Sequence, residues 1–326
     1  MTDYAMVMPA PGGADAFERR AIAPPEPGPG EALVRQTAIG LNFIDVYHRS
    51  GQYPWPVERD LVPGSEGAGV VEAVGPGVTG LAPGDRVAYT LPLGAYASRR
   101  VLPADRLVAL PAGVSDETAA TVMLKGLTAQ YLIHATFRVE PGMTVLVQAA
   151  AGGVGLILGQ WLAAKGAIAI GTAGGPEKVA LARAHGYAHV IDYRAGDFVE
   201  PVRELTGGQG VHVVYDSVGR DTWRGSLACL RVRGMFACFG QSSGPVEGFG
   251  LADLAKGGSL SACRPSLFHY VATRAELESR AADLFAMLES GAIRAEVRQR
   301  FALGEVSEAH AALEGRRTTG ATVLIP

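Results

Sequence analysis

Cysteine is scarce in this 326-residue chain: Cys229, Cys238 and Cys263 are its only thiols. An odd number without C-x-x-C spacing builds neither a disulfide framework nor a zinc knuckle, and a reducing cytosol is the expected setting. An excess of positive charge is also missing. Lys+Arg 29 against Asp+Glu 32 gives a formal net charge of -3, which removes the field that nucleic acid or anionic lipid requires, so neither is an expected partner. The run from Met1 to Gly13 has no basic stretch leading into an apolar core, and no secretory signal is expected. Thr144 to Ala164 carries no charge and is bilayer-length. Gln148, Gln160 and several glycines dilute it, and its first part reads as a β-branched strand, so no membrane span is expected. Among the 7 histidines only His185 and His189 lie four apart, with Gly186 between them at an expected helix end. No metal pair follows.

Glycine is what the chain has in abundance, 43 residues alongside 20 prolines, which implies many tight turns and close backbone approaches. The length predicts two domains with real cores. The first, to about residue 120, reads as mostly β. Pro24-Pro25-Glu26-Pro27-Gly28-Pro29-Gly30 opens a strand from Ala32 to about Ile39, Gly67 to Val74 and Asp85 to Tyr89 supply two more, and glycines from Gly64 to Gly84 mark the bends of a small β-barrel-like domain. From Val145 onward apolar runs at Val145–Ala149, Ile168–Thr172, Ala188–Asp192, Val211–Asp216, Met235–Phe239 and Ser259–Ala262 alternate with helix-length segments. That pattern predicts βαβ units and a parallel sheet. Pro176 in the first turn and Gly186 past the end frame one of the helices. The stretch Arg274 to Ser290 carries Leu277, Ala281, Leu284, Phe285 and Leu288 at helical spacing and is expected to pack back on the first half.

The strongest local signal is Val145-Leu146-Val147-Gln148-Ala149-Ala150-Ala151-Gly152-Gly153-Val154-Gly155, a strand entering a glycine turn and then a helix from Val154 to Ala164. It approximates G-x-G-x-x-G with Ala150 at the first glycine. Gly152 admits a pyrophosphate to the backbone, Gly155 brings helix against strand, and the helix N-terminus favours the negative charge. The next strand ends in Thr172-Ala173-Gly174-Gly175 with no Asp or Glu for a ribose 2′-hydroxyl, while Lys178 and Tyr193-Arg194 follow. Such a turn suits a 2′-phosphate, so NADPH is favoured over NADH. A competing motif, Gly240-Gln241-Ser242-Ser243-Gly244, fits G-x-S-x-G, and Asp253 and His310 follow in α/β-hydrolase order. The residues after Ser243 read as a loop, not the helix that a nucleophile elbow needs. The segment is therefore expected at the carboxyl end of the fifth strand, where a nicotinamide half lies.

Pro63-Gly64-Ser65-Glu66-Gly67-Ala68-Gly69-Val70-Val71, Val74-Gly75 and Gly84-Asp85-Arg86-Val87 resemble the signature of the medium-chain dehydrogenase/reductase superfamily. Asn42-Phe43-Ile44-Asp45, Lys125-Gly126-Leu127-Thr128, the Ala149–Gly155 run, Tyr215-Asp216-Ser217-Val218-Gly219 and Arg264-Pro265-Ser266-Leu267 resemble its NADPH:quinone oxidoreductases of the zeta-crystallin type. The resemblance implies an α/β chain: a GroES-like β-barrel catalytic domain over 1–124 and 268–326, and a six-stranded, doubly wound Rossmann domain over 125–267. It also implies a cytoplasmic homodimer joined through the Rossmann domain. Asn42, Ser65 and Leu124 stand where the superfamily's zinc alcohol dehydrogenases carry Cys, His and Cys, so no metal is expected. An acceptor such as a quinone or enone, which spreads the incoming charge itself, is the coherent substrate.

Carried over by the resemblance, Ala151, Gly152, Gly153 and Val154 hold the pyrophosphate, and Gly174, Lys178 and Tyr193 hold the 2′-phosphate end. Asn42, Tyr47, Thr128, Ser217, Phe239 and Arg316 lie along the rest of the cofactor, and Gly240, Gln241, Ser242, Arg264 and Ser266 are counted with it. Asn42, Asp45, Tyr47 and Tyr53 are expected to face the substrate, with Tyr53 able to stack on a ring or donate a hydrogen bond. The activity implied is NADPH-dependent reduction of quinones, with reduction of enone or enal double bonds as its near alternative. An α/β-hydrolase using Ser242 and a non-catalytic NADPH-binding crystallin-like protein are the alternatives of other classes.

Overall fold

The computed structural model describes residues 2–23 and 25–326; Met1 and Pro24, the first residue of the expected proline-rich opening, lie outside the described residues. Two strands, β1 (Tyr4–Val7) and β2 (Glu18–Ala21), pair antiparallel. β3 (Glu31–Gly40) follows, then the short helix α1 (Phe43–Arg49), β4 (Glu66–Val74), β5 (Arg86–Thr90), β6 (Arg99–Pro103) and β7 (Val108–Ala109). β3 pairs antiparallel with both β4 and β6, and register shifts against β4 near Leu33/Val34 and Gln36/Ala38 bend it, as a curled sheet requires. Its inward residues Ala32, Val34 and Ile39 join Val71, Val87, Tyr89, Tyr96, Leu102 and Leu107 in one core. Gln36 is buried in that layer and satisfied there: it donates to the Ala95 and Ala97 carbonyls and accepts from the Tyr89 hydroxyl.

α2 (Asp116–Tyr131) ends in a wider π-type turn over Leu132–Thr136, and the Leu132 carbonyl accepts from the Phe137 N–H at 3.1 Å and from the Tyr215 hydroxyl at 2.9 Å. Strand and helix then alternate: β8 (Thr144–Val147), α3 (Gly153–Ala164), β9 (Ile168–Ala173), α4 (Pro176–Arg183), β10 (His189–Asp192), α5 (Val199–Leu205), β11 (Val211–Asp216), α6 (Trp223–Ala228), β12 (Leu230–Cys238), α7 (Leu251–Lys256) and β13 (Ser261–Cys263). The six strands form a parallel sheet in the order β10-β9-β8-β11-β12-β13. The order reverses between β8 and β11, where a doubly wound sheet opens a crevice for ligands. The uncharged bilayer-length run is divided between β8 and α3, and among the described residues no helix is long and apolar enough to cross a membrane. β12 begins earlier than the expected Met235. Arg231 to Gly234 form a bulge, with Val211 opposite Leu230 but Val213 opposite Met235 and Arg233 at φ 62°; two arginines inside the strand conceal its start.

The chain returns through α8 (Leu267–Tyr270), α9 (Arg274–Glu289), β14 (Val297–Ala302), α10 (Val306–Glu314) and β15 (Ala321–Ile325). α9 buries Leu277, Ala281, Leu284 and Phe285, and its Arg274 donates to the Asp105 and Leu107 carbonyls, so this amphipathic segment does pack on the first half. β15 pairs with β3 and β14 with β15, completing a seven-stranded sheet ordered β14-β15-β3-β4-β5-β7 with β6 also on β3. The α/β chain thus forms two compact units, residues 1–127 with 271–289 and 295–326, and residues 128–270 with 290–294.

Candidate active site

In the second unit β8 runs into the turn Gln148 to Gly152 and then α3. Ala149 adopts φ 55°, and the N-terminus of α3 at Gly152 has no side-chain cap, so the first N–H groups of the helix point out without a local acceptor. Gly155 is required by space: a Cβ there would lie 2.5 Å from the Ala149 carbonyl oxygen and 2.6 Å from that of Ala150. These features, with Ala151, Gly152, Gly153 and Val154 at the turn, fit a pyrophosphate on the backbone. The turn rests on a buried polar chain: Thr172 Oγ1 donates to Gln148 Oε1 at 2.6 Å and Gln148 Nε2 to Ser226 Oγ at 3.1 Å.

At the end of β9 the Tyr193 ring closes over Gly174, where a Cβ would meet its hydroxyl at 2.5 Å, and the Arg194 guanidinium lies beside Gly175. Lys178 stands on the first turn of α4. A carboxylate is close by after all, from the next strand: Asp192 Oδ1 accepts from the Gly175 and Arg194 backbone N–H groups at 2.9 and 3.0 Å. Those two bonds hold its pKa below the usual range and occupy it in shaping the turn. The cations Lys178 and Arg194 remain beside a small, uncharged strand end, which fits a 2′-phosphate.

After β11 the buried Asp216 folds the loop that follows. Its Oδ1 accepts from the Val218 and Gly219 N–H groups and its Oδ2 from Thr222 Oγ1 and Ser226 Oγ, while burial raises its pKa. The loop carries Ser217, whose carbonyl accepts from Ser242 N at 3.1 Å and lies against Gly240. Phe239 N donates to the Asp216 carbonyl at 2.8 Å. Ser217 and Phe239 to Ser242 are therefore brought together, and Gly240, Gln241 and Arg264 also line a cavity of about 450 Å³ with Cys238, Cys263 and Phe249. Thr128 lies on α2, and Ser266 leads into α8. No nucleophile elbow forms. Residues 241–250 are turn and loop before α7 begins at Leu251, Asp253 caps that helix through the Gly250 N–H, and His310 is buried against Tyr96.

The first unit presents α1. Tyr47 is buried with its ring 5.3 Å from that of Tyr53, and Tyr53 in turn meets His48 edge-on at 5.4 Å. Arg316 sits in the turn after α10 at φ 56°. Asp45 does not face a substrate, contrary to expectation: its side chain is fully buried and turned inward. It accepts from Asn42 N at 2.9 Å, which ties down the start of α1, from Ser65 Oγ at 2.6 Å and from the Tyr96 hydroxyl at 3.0 Å. The inward turn follows from its place in the first turn of α1, where the carboxylate reaches back to an N–H that the helix leaves unpaired. Tyr96 continues to His310 Nε2 at 2.9 Å, and burial lowers the His310 pKa to about 3. Glu66 and Lys125 carry no expected role; both are buried and paired at 2.6 Å, with Asn42 Nδ2 on the same oxygen. A carboxylate inside the glycine-rich P-G-S-E-G run, with a lysine in K-G-L-T, is the trace they leave in sequence.

Comparison with known proteins places these features. A quinone oxidoreductase of Pseudomonas aeruginosa is 52% identical over 97% of this chain and 97% of its own. The chain belongs to the quinone oxidoreductases of the medium-chain dehydrogenase/reductase superfamily. Residues 28–136 match the alcohol dehydrogenase GroES-like domain and residues 153–282 the zinc-binding dehydrogenase family. Two further members of the superfamily widen the picture. The crystal structure of Escherichia coli quinone oxidoreductase complexed with NADPH superposes with a TM-score of 0.97 at 45% identity, covering 99% of this chain and 100% of that one. A 2-haloacrylate reductase of a Burkholderia species is 46% identical over 99% of this chain and 98% of its own. Among the described residues no three His, Cys, Asp or Glu side chains are grouped to hold a metal ion.

Proposed function

We propose that this chain is an NADPH-dependent reductase of quinones and related conjugated carbonyls that works without a metal. The observation carrying the reading is that Asn42 and Leu124 donate to the Glu66 carboxylate and Ser65 to Asp45, at the three positions where the resemblance puts the zinc ligands of the alcohol dehydrogenases. NADPH supplies the hydride, and one proton completes the quinol. Ala151 to Val154 bind the pyrophosphate, Gly174, Lys178, Tyr193 and Arg194 the 2′-phosphate, and Ser217, Phe239 to Ser242, Arg264 and Ser266 the nicotinamide half, with Thr128 and Arg316 completing the cofactor contacts. Asn42, Tyr47 and Tyr53 serve the acceptor, while Asp45 holds Asn42 and Ser65 in place. Relatives 46–52% identical over nearly the whole chain and named quinone oxidoreductases support this; the haloacrylate reductase supports conjugated double bonds as a second acceptor class. Domain roles follow: residues 1–124 and 268–326 for catalysis, 125–267 for the cofactor. We further infer a cytoplasmic homodimer joined through the Rossmann unit, whose edge strand β13 has one paired neighbour among the described residues; light scattering at twice 33.9 kDa tests the dimer.

A steady-state screen of NADPH oxidation tests the reading. Small ortho- and para-quinones are expected to turn over and primary alcohols with NADP⁺ are not; robust alcohol oxidation without quinone turnover overturns it. NADPH binding without turnover of any quinone or enone leaves the crystallin-like alternative, and covalent labelling of Ser242 by a serine probe the hydrolase. Tyr53→Phe is expected to leave kcat within a few fold, because solvent can protonate a quinol oxygen and the ring still stacks; a loss of about 10²-fold would assign the hydroxyl to proton transfer. Prolonged chelation is expected to leave activity intact, and elemental analysis to find no stoichiometric zinc. One zinc per chain, lost together with activity, defeats the metal-free reading.

A further inference from the structure

Glu66 opens β4 with its carboxylate fully buried, and its oxygens meet donors from two other segments of the first unit. Oε1 accepts from Lys125 Nζ at 2.6 Å and Asn42 Nδ2 at 2.9 Å, and Oε2 from the Leu124 N–H at 2.7 Å. The backbone makes room for this junction. A Cβ at Gly40 would overlap both the Glu66 carboxylate and the Ala120 carbonyl, so β3 ends in a residue without a side chain where the lead-in to α1, the head of β4 and α2 converge. A buried ion pair seldom stabilises a fold more than apolar residues of the same volume. This one also grips an amide of the acceptor face, and there its consequence lies.

We propose that Glu66 and Lys125 are positioning residues that act through Asn42; the proposal rests on the reading that Asn42 belongs to the acceptor and nicotinamide site. The Asn42 amide is held by Glu66 from one side, while its backbone N–H is held by Asp45 Oδ2 at 2.9 Å from the other. Lys125 is what keeps this arrangement whole. Its ammonium shares Oε1 with the Asn42 amide, and removing it leaves the buried carboxylate without the cation that fixes that oxygen. The donors that remain on the two oxygens, Asn42 Nδ2 and Leu124 N, are neutral and do not balance a buried charge, so the carboxylate shifts and the amide moves with it.

A double-mutant cycle between Lys125→Met and Asn42→Ala tests this. Each single change is expected to lower kcat/KM for a para-quinone by about 10-fold, within the range that a misplaced site group costs. The double variant is expected to lie within about twofold of the worse single, because the lysine works through the amide. Lys125→Arg, which keeps the charge, is expected to recover part of the loss. The same cycle in the NADPH dissociation constant, read from cofactor fluorescence with no acceptor present, separates failure of the proposal from failure of the quinone assignment. Thermal unfolding of all four proteins detects a purely structural role, and Glu66→Gln replaces Lys125→Met in the cycle if the latter does not fold. Folded variants with unchanged constants, or losses that multiply in the double variant, overturn the proposal.

Discussion

Replacing Lys178 by alanine is expected to raise the NADPH dissociation constant by roughly 10- to 150-fold while changing that of NADH by less than about twofold. A charge-assisted hydrogen bond to phosphate contributes about 1.5 to 3 kcal/mol, which sets that range. The only chemical difference between the two cofactors is the 2′-phosphate, so a residue that contacts it alone must discriminate by its full contribution. The geometry favours this. Lys178 lies on the first turn of α4, where the helix N-terminus already favours negative charge, and the Arg194 guanidinium lies beside Gly175. Asp192, the nearby carboxylate, is engaged with two backbone N–H groups and shapes the turn without taking up a 2′-hydroxyl. Arg194→Ala is expected to act in the same direction with a smaller effect, since the arginine is exposed. Equal loss of affinity for both cofactors in Lys178→Ala would remove the lysine from the 2′-phosphate site.

The parallel sheet was legible because its signals are local. Apolar strands flanked by Gly and Pro mark β8 to β11 within a residue or two, and the glycine turn before α3 needs no partner from elsewhere in the chain. The opening β-rich half was legible as class but not as topology. β3 takes β4, β6 and β15 as partners, and β15 lies at the far end of the chain, a pairing that no local pattern encodes. The site divides in the same way. Residues that act through backbone, such as Gly152 and Gly155, can be read from spacing. Those that act through buried partners cannot: Glu66, Lys125 and Asp216 each look like ordinary charges until the fold brings hydrogen-bond partners to them. Asp45 illustrates the converse. Its position in an Asn-Phe-Ile-Asp stretch suggests a substrate contact, yet the reach of a carboxylate back to the N-terminus of its own helix turns it into the interior.

That interior position gives Asp45 an expected signature in stability. Burial, opposed by the donors Ser65, Asn42 and Tyr96 and assisted by the nearby charge of Glu66, raises its pKa from 3.8 to about 7. A folded-state pKa above the unfolded value means that the native protein binds the proton more tightly. The resulting stabilisation is complete below the unfolded pKa and is lost as pH rises through about 7. At about 1.4 kcal/mol per pH unit, the loss between pH 5 and pH 8 amounts to about 2 to 3 kcal/mol. Asp45→Asn keeps the volume and an acceptor but cannot ionise. The unfolding free energy of the wild type minus that of the variant is therefore expected to fall by this amount across the interval, measured by denaturant titration. His310 works in the opposite direction. Burial depresses its pKa from 6.5 to about 3, so its contribution is present above 6.5 and is lost progressively as pH falls from there to about 3, but it is present in both proteins and cancels in the difference. Tyr96→Phe supplies the second arm: removing a donor to the carboxylate should raise the Asp45 pKa further and move the loss to higher pH. A difference that stays flat from pH 5 to pH 8 would mean that the three donors outweigh burial and keep Asp45 ionised in the folded protein.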